Sequence, residues 1–583
     1  MTEYFEVLER DGAARVGELR LSDPLTTPGI VDPVLEDAGS LWVEDRPTPA
    51  GDPDALTVLP HRGFPAGTDE RVVEAFAPAV PDIEAPSAAV IAARQAADLE
   101  TDAYVLASAA GLDGNARALH EAIVRTRTGI PDDAALYLPG IASAATAPLL
   151  AYTGVDLVDT HRAVIDGTRG RYHTRSGSEP LESLSALPCA CPVCQRGIDE
   201  FDRTDCADHN VSLLRSTLAL IRDRIRAGRL RDYLEGQVRH SPWMTACFRT
   251  FDQEHSYLEE RAPLYRAATM AATTEDALDR VAVTRFTERV TEQYRNRFDV
   301  PLVLVPCSAS KPYSESKSHG HFRSAIDYRG HRVALSSPVG VVPQELELTY
   351  PAQHYDAAVS GRWTPGEIEF ISDLLDRYLD RNRYDRIIAH VPAGGYREIC
   401  ERVASRRGVD VTYTVADHPT DDESLEALAA ALADEPRYRK GERQRNTIRA
   451  IADYQFGPAA GDELFPELSI QSRYPKLRAH DADGTQLAAM VPEYGTLALT
   501  IAGAERWVDS PVPTKVVEID EFVPHGSVLA PGIRSADPEI RVGDEVIVRG
   551  PAAFGVGRAV MFGSAMTEST RGVAVDMRHV RER

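Results

Sequence analysis

VPLVLVPCSASKPYSESKSHGHF (Val300–Phe322) joins two kinds of sequence. Its first seven residues are a continuous apolar run, the pattern of a strand buried on both faces of a parallel sheet. The remainder, Cys307–Phe322, holds a cysteine, two lysines, two histidines and a tyrosine among five serines. In open α/β sheets ligands bind in the crevice beyond the carboxyl ends of the strands. The reading therefore places a chemically rich loop where chemistry is done. The lysines add to this. The chain has five, Lys311, Lys317, Lys440, Lys476 and Lys515, among 64 basic residues. Arginine presents a planar fork that stays charged in proteins, whereas lysine is a compact charge whose pKa moves on burial. A chain built on arginine keeps lysine where those properties matter.

Working outward, DALDRVAVTRFTERVTEQYRNRF (276–298) reads as one long helix before the strand. PGEIEFISDLLDRYLDRN (365–382) reads as a helix after it, leading into a second buried strand, RIIAHVP (386–392), and a Gly-Gly turn at Gly394. Alternation of this kind predicts an α/β unit over 276–428, closed by an acidic helical linker, DDESLEALAAALADEP (421–436). Upstream, residues 1–275 alternate short apolar runs with helical stretches: VIAARQA (90–96), AYVLAS (103–108), ALYLPGIAS (135–143) and LLAYTGVDLVD (149–159). The pattern predicts a second α/β domain, read as a barrel. Within it, STLALIRDRIRAGRLRDYLEGQVR (216–239) reads as one amphipathic helix. Downstream, LRAHDA, QLAAMV and LALTIAGA mark strands of a small α+β domain over 429–507. The last region, 508–583, is all-β.

At 583 residues the chain needs several cores. It is 43% hydrophobic, and no apolar run approaches the roughly 18 residues of a membrane span. The start, MTEYFEVLERDG, lacks the basic and apolar regions of a signal peptide. The expectation is a cytoplasmic protein with no membrane partner. The net charge of −25 argues against a simple basic nucleic-acid binder. An acidic, lysine-poor surface fits a halophile's salt-rich cytoplasm, where the Debye length falls to about 3 Å at 1 M salt. An RNA partner would then be held by shape, stacking and directed hydrogen bonds more than by bulk charge.

Seven cysteines in a cytoplasmic chain do not suggest disulfides. Cys189, Cys191 and Cys194 form C-x-C-x2-C, and His209 comes after them. Three thiolates and an imidazole suit tetrahedral zinc, and four protein ligands make such a site closed and structural. Cys206, three residues before His209, is a competing ligand.

These residues carry a resemblance. Cys189-x-Cys191-x2-Cys194 with His209-Asn210 resembles the zinc site of the tRNA-guanine transglycosylases, which are modified (β/α)8 barrels. ALYLPGIASAATAPLLAYTGVDLVDTHRA (135–163) resembles the segment ending in that family's nucleophile-bearing strand, with Asp159 at the nucleophile's position and so in a base pocket. The family's other aspartate has no counterpart in LPHRGFPAGTDERV (59–72). The C-terminal 76 residues resemble a PUA domain, with Gly526, Gly532 and Gly543 at matching turns, which implies RNA binding there. Residues 429–507 resemble the small domain that accompanies PUA in archaeal transglycosylases.

Pro306-Cys307-x3-Lys311-Pro312-Tyr313-Ser314-x-Ser316-x2-His319 resembles the signature of the archaeosine synthase family. The likeness implies a multidomain α/β tRNA-modifying transferase: barrel with zinc, α/β middle domain, small α+β domain and PUA β-barrel. Its substrate would be archaeal tRNA whose D-arm carries 7-cyano-7-deazaguanine (preQ0) at position 15. An amine nitrogen, from the lysine ε-amine or another donor, would add to the nitrile to give an amidine. A radical SAM partner enzyme and a homodimer are further implications. Two other readings stay open: a tRNA-guanine(15) transglycosylase inserting preQ0, and a non-catalytic tRNA-binding scaffold.

A nitrile on an electron-rich ring is a poor electrophile, and covalent catalysis by a thiolate is one remedy. Cys307 is the natural nucleophile, with Lys311 and protonated His319 as the cations that favour its thiolate. Buried core filler, or a metal site with His319 and His321, are the alternative parts for Cys307. His319, with an ordinary pKa near working pH, would handle protons. Tyr313 and Ser314 would position substrate, and Glu345, Tyr350 and His354 are second-tier candidates for holding the donor.

Overall fold

The strand read from VPLVLVP forms at Leu302–Pro306, every residue buried, in the middle of a five-stranded sheet. It lies between two parallel neighbours, His331–Ser336 and Ile387–Ala389. Val411–Tyr413 extends the sheet in parallel beyond Ile387–Ala389, and Gly340–Pro343 closes the other edge antiparallel. The computed structural model describes residues 3–37, 50–63, 68–76, 83–92, 100–358 and 362–583. They form two compact units: 1–262 with 529–533 and 561–574, and 263–528 with 534–560 and 575–583.

In the first unit seven strands are parallel throughout, in the order Gly29–Ile30, Leu157–Val158, Ala135–Tyr137, Ala103–Leu106, Ser87–Ile91, Leu56–Val58, Leu35–Asp37. The two edge strands are consecutive in the chain, joined by the turn Asp32–Val34. Laid flat, seven strands would part their edges by about 29 Å. The five residues from Ile30 to Leu35 span at most about 17 Å. The sheet must therefore curl round, which makes it barrel-like; seven such strands are seen among the described residues where the resemblance implies eight. Arg15 and Asp156, both buried, join the antiparallel sheet of Phe5–Asp11, Ala14–Leu19 and Leu25–Thr27 to this one through hydrogen bonds of 2.8 and 2.7 Å. Part of VIAARQA, residues 93–96, and the GFPAGTDERV segment at 64–67 lie outside the described residues.

Three expectations change on contact with the fold. The stretch 216–239 is two helices, Arg203–Arg226 and Leu230–Val238, because the chain turns at Gly228 with φ of +63°. The helix before the motif strand is shorter than read, Val281–Glu292 after a single turn at Glu275–Asp279. DDESLEALAAALADEP is no free linker. Its helix, Asp422–Ala431, buries Leu428 fully, and Leu432 continues into the same core. The helix Pro365–Arg381 matches its reading. Thr364 and Glu367 form a reciprocal capping box, and Ile368, Ile371, Leu375 and Tyr378 make a stripe at helical spacing that is buried against the sheet. Each such side chain contributes about 1.5–3 kcal/mol by leaving water.

Also in this unit, Lys440–Phe456 precedes a four-stranded antiparallel sheet of Ser469–Gln471, Arg478–His480, Gln486–Val491 and Thr496–Leu499. Of these strands, Ser469–Gln471 has no signal in the hydrophobic pattern. The C-terminal β region is built on Val516–Ile519, Glu545–Arg549, Ala553–Ala559 and Val573–Glu582.

Candidate active site and metal centre

Strand order fixes where the second unit presents chemistry. From Leu302–Pro306 the chain moves to one side to form His331–Ser336, and later to the other side to form Ile387–Ala389. Connections leave the central strand in opposite directions there, and open α/β sheets take ligands at such a switch point, beyond the carboxyl ends of strands such as Leu302–Pro306 and Ile387–Ala389. Cys307 comes directly after the first strand and the Gly394–Gly395 turn lies beyond the second. Cys307 is half-buried, its amide donating to the Leu335 carbonyl at 3.1 Å. Its Sγ lies 3.1 Å from the hydroxyl of Tyr396, on the first turn of helix Gly395–Arg407. Gly394 has φ of +94°, which favours glycine. A Cβ on Gly395 would press on the Trp363 ring, which packs 4.5 Å from that of Tyr396.

Lys311 stands over the Tyr355 ring, Nζ 3.8 Å from its centre. Burial pulls its pKa below the ordinary lysine value, opposed by the charges of Cys307 and Asp356. Tyr355 is held in turn by Tyr313, hydroxyl to hydroxyl at 2.7 Å, and by a short hydrogen bond with Ser336. Burial pushes the Tyr313 and Tyr355 phenols up, so both remain protonated. Tyr313 thus acts on Lys311 through Tyr355.

His319 takes a different part from the one expected. It is completely buried, stacked on Tyr313 with centroids 4.6 Å apart, and its Nδ1 accepts from Arg332 at 3.3 Å. Burial first, then the Arg332 charge, lower its pKa to about 3. The ring is therefore neutral, a prop behind Tyr313. Arg332 pairs with Glu347 at 2.9 Å, and Glu347 accepts from the Tyr474 hydroxyl, which also meets the Ser314 side chain. The Ser314 carbonyl accepts from Arg323 at 3.1 Å. Lys317 is exposed at the start of helix Lys317–Ile326.

The second-tier residues lie elsewhere. Glu345 is buried against His331 at 3.1 Å and Tyr294 at 3.3 Å. His331 pairs with Leu302 at the amino end of the strands, five residues and about 16 Å from Cys307. Tyr350 is buried, its backbone tied to Tyr494 and Tyr454, and the His354 ring meets the Glu493 carbonyl at 2.7 Å. Sequence reasoning passed over Tyr355, Ser336 and Tyr396. The only signal for Tyr396 was its place after the Gly-Gly turn, at a helix start beyond a parallel strand.

In the first unit Asp159 is wholly buried at the end of Leu157–Val158. Its carboxylate accepts from the Tyr137 hydroxyl at 2.9 Å, the Gly140 amide at 2.7 Å and the His161 amide at 3.0 Å, with the His161 ring at 3.2 Å. Both oxygens are engaged in holding the loops at that end. In the second unit Gly526 and Gly543 have φ of +83° and +96°, and Gly543 faces the Tyr265 ring; Gly532 closes a short turn in the first unit.

Cys189, Cys191, Cys194 and His209 bring their ligand atoms within 4.8 Å of one another. His209 Nδ1 is 3.5 Å from the Cys191 sulfur and 3.3 Å from that of Cys194. Its Nε2 donates to the His173 carbonyl at 3.0 Å, which leaves Nδ1 free to ligate. Tyr172 stacks on the ring at 3.9 Å. Cys206 is fully buried outside the quartet. Three thiols and an oriented imidazole fit zinc, and the cluster is consistent with a zinc site.

Four family models match successive segments: queuine tRNA-ribosyltransferase over 83–242, a domain of unknown function over 283–432, the patch-forming domain C2 of tRNA-guanine transglycosylase over 446–513, and the PUA domain over 517–581. The chain is 55% identical to the archaeosine synthase of Haloferax volcanii, over 100% of both chains. It is 41% identical to the archaeosine synthase subunit alpha of Methanosarcina acetivorans, again over 100% of both. A tRNA-guanine(15) transglycosylase of Methanobrevibacter smithii is 26% identical over 74% of this chain and 64% of its own. Among the described residues, no helix is long and apolar enough to cross a membrane.

Proposed function

The chain belongs to the archaeosine synthase family, and from that premise we propose that it converts preQ0 at position 15 of tRNA toward archaeosine by adding an amine to the 7-cyano group. The observation that carries the proposal is the Cys307 sulfur at the switch point of the sheet, 3.1 Å from the Tyr396 hydroxyl. The Cys307 sulfur adds to the nitrile carbon. A C–S bond forms, the triple bond becomes C=N, and the nitrogen takes the proton the thiol has lost, giving a thioimidate. The Tyr396 phenol, which burial keeps protonated, donates a hydrogen bond to the charge that develops. The Lys311 ammonium balances the thiolate before attack. The amine, taken as the lysine ε-amine, then adds to the same carbon. A C–N bond forms, the C–S bond breaks, and one amine proton returns to sulfur. The product is an amidine and the thiol is regenerated, with no redox change. A radical SAM enzyme completes archaeosine in this reading.

The remaining parts are assigned on the same premise. The four regions 1–275, 276–428, 429–507 and 508–583 serve as barrel, reaction domain, small domain and RNA-binding PUA domain, in a cytoplasmic homodimer. Zinc at Cys189, Cys191, Cys194 and His209 would fasten their loop to helix Arg203–Arg226. A transglycosylase would need Asp159 as nucleophile, and its engaged carboxylate speaks against that. A passive scaffold leaves Cys307, Lys311 and Tyr396 without a task.

The test is to incubate the protein with preQ0-tRNA and isotopically labelled lysine, then digest the tRNA to nucleosides. Label in a deazaguanosine product is expected. Cys307→Ala should abolish it, a loss of at least about 10³-fold, while tRNA binding persists. Absence of label with the native chain would sink the lysine reading, and full activity in the variant would sink the thioimidate.

A further inference from the structure

In a chain of net charge −25, the stretch Arg437–Arg449 is an exception: six basic residues, Arg437, Arg439, Lys440, Arg443, Arg445 and Arg449, stand against Glu442 alone. It opens helix Lys440–Phe456, whose first turn no side chain caps. Many arginines elsewhere in this unit are tied to a carboxylate. Arg402, Arg406 and Arg407, for instance, each have acids within 3 Å. Among the described residues, Arg439, Lys440, Arg443 and Arg445 have no such partner.

Arg443 lines a small surface cavity with Arg323, Arg332, Tyr328, Tyr438 and Gln344. Three guanidinium groups line it, and the carboxylate nearest them, Glu347, is already paired with Arg332 and the Tyr474 hydroxyl. Among the described residues Arg323 makes no ion pair, and burial, then Arg332 and Arg443, hold its guanidinium below its ordinary pKa against the opposing charge of Glu347. Among the described residues the Arg443 guanidinium rests on rings alone, 5.8 Å from that of Tyr328 and 6.0 Å from that of Tyr474. Three guanidinium groups beside a single carboxylate leave positive charge in excess, which a further anion would relieve. Beside them stands the positive end of a helix.

We propose that this cavity, with the basic first turns of helix Lys440–Phe456, is a binding site for a backbone phosphate of the tRNA. The inference rests on the tRNA reading above. Arginine's planar fork matches phosphate geometry, and directed hydrogen bonds persist at salt concentrations that screen bulk charge. A carboxylate on the amine donor is the other oxyanion available. Arg332 pairs with Val303, four residues and about 13 Å before Cys307. A polynucleotide spans such a distance, and measuring the KM for lysine beside tRNA affinity separates the two sources. The site also touches the reaction loop at two points, Arg323 to the Ser314 carbonyl and Arg332 to His319. A phosphate seated there would help hold the loop that carries Cys307.

The test compares native chain, Arg443→Gln, Arg443→Lys and the Arg323→Gln/Arg443→Gln pair, each checked for an unchanged thermal midpoint. Dissociation constants for preQ0-tRNA are measured across a KCl series, and KM for lysine alongside. The paired variant should bind about 10-fold more weakly, with a log–log salt slope shallower by about one, and Arg443→Lys should lie between. Unchanged affinity and slope in the paired variant would overturn the site while leaving the reaction reading intact. A raised KM for lysine with unchanged tRNA binding would overturn it in favour of a carboxylate site. A native chain that does not bind tRNA at all would overturn both.

Discussion

The Cys307 thiol and the Tyr396 phenol lie 3.1 Å apart, and in the proposed reaction the thiol attacks while the phenol donates a hydrogen bond. Burial strongly disfavours the Tyr396 phenolate, so the phenol stays a donor through the pH range in which a thiolate is available. Tyr396→Phe keeps the ring against Trp363 and removes only the hydroxyl. It should lower kcat by about 10²-fold with little change in KM for tRNA, since the bond strengthens only as charge develops on nitrogen. A change confined to KM would make Tyr396 a packing residue. The sequence displayed Cys307 and Lys311 because both are scarce types in a short motif. It did not display Tyr396 or Tyr355, because tyrosine is common, with 21 in the chain, and these two reach the site from 42 or more residues away. His319 is the converse case: conspicuous in the motif, yet placed by the fold as a neutral prop.

Elements explain why loop chemistry can be this exact in position. The motif strand is paired on both sides, so the residue after it is anchored by two neighbours. The metal centre works the other way, because its loop, between Gln195 and the hairpin Arg171–Pro180, has little regular structure of its own. Tyr172, Cys194, Phe201 and Cys206 form only a small buried cluster there. A bound zinc would supply what packing does not, since metal affinity becomes folding free energy. Cys191→Ser should cut the zinc content measured by elemental analysis from near one per chain to near zero and make residues 181–201 readily cleaved by protease. Retention of zinc in that variant would exclude the quartet as the ligand set. The C-x-C-x2-C spacing announced this site, but choosing His209 over Cys206 as partner needed helix Arg203–Arg226. Three residues apart, the two lie on the same side of the helix about one turn from each other, and the hydrogen bond from His209 to the His173 carbonyl turns its Nδ1 to the thiols.

At the scale of the whole molecule, charge and burial decide under which conditions the fold persists. His319 has a pKa near 6.5 when unfolded and about 3 when folded. Between those values the unfolded chain takes up a proton that the folded chain refuses. Stability carried by the neutral ring is therefore complete above about pH 6.5 and falls on acidification toward pH 3, by up to about 1.4 kcal/mol per pH unit. Against native protein, His319→Gln should lose stability less steeply between pH 6.5 and 4, read by chemical denaturation at each pH. Parallel slopes would mean that the ring protonates without cost. The sequence by itself determined the α/β character, the buried motif strand, the cysteine–histidine quartet and the terminal β region. Those features come from periodicity, from rare residue types and from short-range spacing. Only the tertiary structure decided that the barrel-like sheet closes through the turn Asp32–Val34, that the acidic segment 421–436 docks, and that Tyr396 meets Cys307. It alone placed Glu345, Tyr350 and His354 in packing of their own and tied down Asp159. Each of those facts depends on contacts between distant segments, and local sequence holds no record of which distant segment will supply a neighbour.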